Sequence, residues 1–153
     1  MVGTFGRIDR YQEVTLLSSA GLWHHSVTVT GKIAEHGPGY MPYIVRAFAV
    51  QNYTTIAYGG SPVITFWQNT SPGLTATGNY TSLDTVTLAT GGSGDIGQVF
   101  YATPTSPTVI RPGQAVTAEV TTVTSDAHRV KCLMFIEPSS EIPSVNTNMT
   151  LSA

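Results

Sequence analysis

Trp23-His24-His25-Ser26-Val27-Thr28-Val29-Thr30-Gly31-Lys32-Ile33 is the stretch that decides the fold class. Trp23, His25, Val27, Val29 and Ile33 fall on one face, and His24, Ser26, Thr28, Thr30 and Lys32 on the other. A period of two is the mark of an antiparallel strand with one face buried and one wet. Gly31 interrupts the apolar face and signals a bulge or bend, because it has no side chain to pack there.

The same pattern extends outward from this strand. Residues 13–17 form a short apolar-rich run before a turn at 18–21. Downstream, Glu35-His36-Gly37-Pro38-Gly39-Tyr40-Met41-Pro42 reads as a loop, since proline and glycine punctuate regular structure. Residues 43–51 are apolar on both faces except at Arg46, which predicts a central strand covered on both sides. Further strand signals lie at 63–68, 80–89, 98–103 and 109–110. Turn-rich pieces separate them at 59–62, 69–78, 91–94 and 104–107. In Arg111-Pro112-Gly113-Gln114 the Pro-Gly pair fits the two central positions of a type II turn. Residues 115–123 then alternate, with Val116, Ala118 and Val120 inward and Thr117, Glu119 and Thr121 outward. A reversal at Ser125-Asp126 leads to a last strand at 128–137.

No window keeps a helical apolar period free of Gly, Pro or clustered Thr. The fold class is therefore all-β: eight or nine strands in a single antiparallel β-sandwich, jelly-roll or immunoglobulin-like. The sandwich is expected over 13–137, with an extended N-terminal arm at 1–12 and a C-terminal tail at 138–153. Val27, Val29, Phe48, Val50, Phe66, Val116, Val120, Leu133 and Phe135 are the expected core.

Charged residues make up only 10% of the chain, against roughly 25% in an ordinary soluble domain. The 23 threonines supply polarity in their place. Such a surface suits pleated strands, and equally a protein covered by neighbours, since interface cores are depleted in charge. The net charge is −2, and the seven Lys and Arg are scattered from Arg7 to Lys131. Nothing here would neutralise a phosphate backbone, so no direct nucleic-acid partner is expected. No apolar run reaches the roughly 20 residues of a membrane helix, and no membrane partner is expected. Residues 1–12 hold no hydrophobic leader segment, and Cys132 is the sole cysteine, so synthesis and folding in a cytoplasm are expected. The sequons at Asn52, Asn69, Asn79 and Asn148 are then chance matches in a Thr-rich chain.

Candidate chemistry is sparse. His24 and His25 are adjacent on a strand and point to opposite faces, so they cannot chelate one ion. His25 or His36 would need ligands from other strands, and no spacing, including that to His128, provides them. No Gly-x-Ser-x-Gly elbow singles out a serine. Cys132 sits in an apolar strand, the setting of a structural thiol rather than a nucleophile. Glu35, Asp84, Asp95, Glu119 and Glu137 are spread over different elements. The chain is thus expected to be no enzyme, with no catalytic, metal or cofactor-binding residues and no cofactor. Tyr40, Tyr43, Tyr53, Tyr58, Trp67 and Tyr80 are core residues, interface anchors or stacking platforms for a sugar.

The charge-poor, Thr-, Gly- and Ser-rich all-β chain has a polar arm at each end. Its Pro-Gly turn leads into the alternating strand of Ile110-Arg111-Pro112-Gly113-Gln114-Ala115-Val116-Thr117-Ala118-Glu119-Val120. In this general style it resembles the capsid decoration (cement) proteins of tailed bacteriophages, of jelly-roll or tulip-like β type. That resemblance implies a virion structural protein on the outer capsid surface. It implies a homotrimer that reinforces the shell, with itself and the major capsid protein as partners and no catalytic residues. A tail, neck or fibre module, or a host-glycan-binding β domain, is the alternative. A small hydrolase or lyase on a β scaffold is a third.

Overall fold

The structure, a computed structural model, describes residues 11–53, 61–70, 79–88, 97–123 and 129–141. In chain order the strands are β1 (Gln12–Thr15), β2 (His25–Ser26), β3 (Gly31–His36), β4 (Tyr43–Asn52) and β5 (Val63–Asn69). They continue as β6 (Tyr80–Thr87), β7 (Val99–Ala102), β8 (Thr108–Ile110), β9 (Ala115–Thr122) and β10 (Arg129–Pro138). No α-helix occurs among the described residues.

Two antiparallel sheets form the sandwich. The first has the order β1-β10-β4-β7, and the second β3-β9-β5-β6. β1 and β2 lie end to end along one edge of β10, and β7 and β8 end to end along the far edge of β4. The ten segments therefore fill eight positions, four in each sheet. Among the described strands only β5–β6 joins neighbours in chain order; every other pair is a long-range crossover. That is the jelly-roll arrangement, not the immunoglobulin one.

β4, apolar on both faces, is the centre of the first sheet, flanked throughout by β10 on one side and by β7 and β8 on the other. Between the sheets, Phe48 of β4 stacks on Phe66 of β5 with ring centroids 4.1 Å apart and planes 11° from parallel. Val50, Val116, Val120, Cys132 and Met134 close around them, fully buried. The Pro-Gly turn forms as expected. Gly113 takes φ +86, the left-handed value such a turn demands, and the Gln114 N–H donates to the Arg111 carbonyl at 2.9 Å.

The 23–33 strand is corrected. Only His25–Ser26 pairs with β10, and the chain then leaves the first sheet and enters the second at Gly31. Gly31 has φ +133, which disfavours any residue with a side chain. Val29 lies in the crossing and is 71% exposed, not in the core. Glu35 and His36, read as loop, belong to β3. Thr117 is on the outer face of β9 yet buried, because Glu35 and Trp67 flank it at the same register. Phe135 is half-buried on the outer face of β10. Strand pairing reaches Gln12 and Pro138, one residue beyond each expected limit of the domain, and Ser139 beyond it is buried. The expected turns at 91–94 and 125–126, residues 1–10 of the arm and 142–153 of the tail lie outside the described residues.

Candidate interaction surfaces

His25 is buried, and its Nε2 lies 3.1 Å from the Leu16 carbonyl oxygen. Burial holds its pKa below the ordinary histidine value, against the opposing pull of that carbonyl, and His24 adds a small further lowering. His24 precedes β2 and lies outside the strand, and its ring meets Trp23 edge-on at 5.0 Å. His36 caps the far end of β3. There the Tyr43 hydroxyl donates to the His36 carbonyl at 3.1 Å and meets its ring Nδ1 at 3.3 Å. Burial also lowers the pKa of His36. These three histidines are not brought together, and His128 lies outside the described residues. Among the described residues no three His, Cys, Asp or Glu converge in a metal-binding group.

The Cys132 thiol is fully buried, and desolvation pushes its pKa up to about 12, so it is protonated at neutral pH. Of the acids, Glu137 is ion-paired with Arg46, and Glu35 with Lys32. Glu119 stands opposite Lys32 in the β3–β9 register. Asp84 accepts the Thr85 backbone N–H at 2.7 Å. Asp95 lies outside the described residues.

The aromatic side chains divide by place. Tyr43 is buried, and Trp67 and Tyr80 pack edge to face on the second sheet with centroids 6.3 Å apart. Tyr58 lies outside the described residues. Trp23, read as an inward strand residue, is 44% exposed. Tyr53 and His24 brace it edge-on, and the Lys131 ammonium lies 5.9 Å from the ring centroid. Nothing in the spacing of residues 23, 53 and 131 announces this platform. It arises because the β1–β2 connection swings across the start of β10.

Two large apolar side chains stand exposed side by side at one end of the sandwich, in the β3–β4 loop, while Val29 and Tyr101 are exposed elsewhere. Tyr40 is 92% and Met41 61% exposed. The loop's base is fixed. The Ser139 N–H donates to the Pro42 carbonyl at 3.1 Å, and Tyr43 bonds His36. Gly37 lies so close to the β8–β9 turn that a Cβ there would stand 3.1 Å from the Gln114 carbonyl oxygen. Behind the tip runs a groove of about 380 Å³, lined by Val14, His36, Pro38, Ile136 and Pro138 among others.

No family model matches the chain, and no curated protein does. Solved structures do, weakly. The Eiger TNF of S. frugiperda is 6% identical over 75% of this chain and 69% of that one, with a TM-score of 0.37. The VP2 subviral particle of infectious bursal disease virus is 11% identical over 85% of this chain, with a TM-score of 0.27. The structure of the Gt strain of that virus is 10% identical over 86% of this chain, with a TM-score of 0.22. This chain spans less than half of either viral chain, 41% and 42%. The neighbours thus include a viral capsid protein and a TNF-like jelly roll, and likeness at this level carries no functional assignment.

Proposed function

We propose that this protein is a virion structural component, a decoration protein that binds the outer surface of a capsid as a homotrimer and works by assembly rather than catalysis. The observation that carries the reading is the surface. Charge is scarce, several of the charged side chains are paired with one another, and large apolar side chains stand out at a braced loop tip. Such a surface is suited to being covered by other subunits. A protein that binds only the assembled shell stabilises it by mass action, and three linked copies add avidity without stronger single contacts. The partner is then the major capsid protein. Light scattering of the purified chain should give three times the 16.3 kDa chain mass, and the protein should cosediment with empty capsids. A strict monomer that leaves capsids in the supernatant would refute the reading.

A second reading, a host-glycan-binding module, is favoured by the Trp23 platform. A partly exposed indole held by Tyr53 and His24 is the kind of rigid flat face on which a sugar ring stacks. Glycan-array binding lost in Trp23→Ala would decide for it.

A further inference from the structure

We infer that the end of the sandwich carrying Tyr40 and Met41 is the face through which the protein seats on the shell, with this tip inserted into an uncharged, apolar recess of a shell subunit. The inference rests on the decoration reading and adds to it a surface and a partner chemistry.

Three observations converge on this end. The first is the tip itself. Two large uncharged side chains, of types enriched at interfaces, stand in solvent between Pro38 and Pro42, whose rings fix the backbone on either side. The anchors at Pro42, His36 and Gly37 hold the loop before any partner arrives. Little further ordering is needed on binding, which favours affinity.

The second is where the chain goes. Gln12 pairs with Ile136, and Pro138 pairs with Tyr43, so the first and last described stretches meet beside this loop. Residues 1–10 and 142–153 both continue from here.

The third is charge. Arg111 and Glu141, which border this end, form a two-pronged pair with each other at 2.8 and 2.7 Å. Neither is left to demand a counter-charge from the partner. The matching surface is therefore a neutral recess that takes an aromatic ring and a thioether, with a ridge that fits the groove behind the tip.

The test uses the full chain and empty shells assembled from the major capsid protein encoded in the same genome. Tyr40→Ala/Met41→Ala should keep the wild-type melting temperature and oligomeric mass, because neither side chain is in the core. Its cosedimentation with shells should weaken about tenfold or more, as for loss of a hot spot. Met41→Glu alone should do the same, by placing a charge in an apolar recess. Trp23→Ala, away from this end, should bind as wild type does. If the wild-type chain cosediments and both tip variants bind as tightly, this inference fails and the decoration reading stands. If the tip variants lose their oligomeric mass instead, the tip is a self-association contact and the inference also fails. If the wild-type chain does not cosediment, the decoration reading falls and this inference falls with it.

Discussion

Truncating Phe66 to alanine should remove much of what holds the two sheets together. Phe66 is fully buried, and its ring is the main partner of Phe48 across the sandwich, at a centroid distance of 4.1 Å. Returning a Phe side chain to water forfeits about 2–3 kcal/mol of transfer free energy. The cavity left between two hydrogen-bonded sheets cannot fully collapse, which raises the total to about 4 kcal/mol. With a urea slope of about 2 kcal/mol per M, the unfolding midpoint should fall by about 2 M at unchanged slope. A domain of this size has a total stability of roughly 5–15 kcal/mol, so Phe66→Leu, at about 1–2 kcal/mol, gives a folded intermediate in the series. Phe48→Leu and the double variant complete a cycle, whose coupling should be about 1 kcal/mol for a stacked pair. A loss below about 1 kcal/mol for Phe66→Ala, or strict additivity in the cycle, would refute the role assigned to this contact.

Gly113→Ala should cost about 1 kcal/mol or more, because φ +86 is strained for any residue with a Cβ; a denaturation midpoint equal to wild type would count against the turn. Stability should decline as pH falls below the ordinary histidine value of 6.5, since the unfolded chain takes up protons that His25 and His36 resist in the folded state. His25→Gln should reduce that decline in urea titrations from pH 8 to 5, leaving the part due to His36, while a profile identical to wild type would remove His25 as a source. The Cys132 thiol should resist a disulfide reagent at pH 8 until urea unfolds the chain, because it is buried and protonated there; fast modification of the native protein would show that β10 opens readily.

Where sequence spacing and local geometry coincide, the fold could be read directly. The Pro112-Gly113 turn, the inward Val116, Ala118 and Val120, and the doubly apolar β4 are all set by rules that act within a few residues. The 23–33 stretch shows the limit of such rules. Both sheets bury a face toward the same core, so a chain that crosses from one to the other can keep its alternation without a break. Only Gly31 hints at the crossing, and Val29, which the alternation puts in the core, lies exposed in it for that reason. Thr117 faces outward as its alternation implies, but its burial could not be read, because it comes from Trp67 and Glu35, fifty and eighty residues away along the chain. The Trp23 platform was hidden for the same cause, since Tyr53 and Lys131 reach it only through the folded first sheet. The prominence of Tyr40 and Met41 was half-visible: the loop was evident, but not the bracing at its base.

The strand order also sets a timetable for synthesis. β10 lies between β1 and β4 and is the last of the described strands made, so the two parts of the first sheet are not joined until residue 138 has left the ribosome. The second sheet is complete once β9 has emerged, and β5–β6 is the one sequence-adjacent pairing from which it can start. Until β10 arrives, Val45, Phe48 and Val50 of β4 lack the strand that covers one of their edges. A nascent chain with this topology has its greatest exposure to aggregation just before β10 emerges. A premature stop ahead of β10 therefore leaves β4 with only β7 and β8 and strands β1 and β2 without the strand they pair with, rather than removing one edge strand.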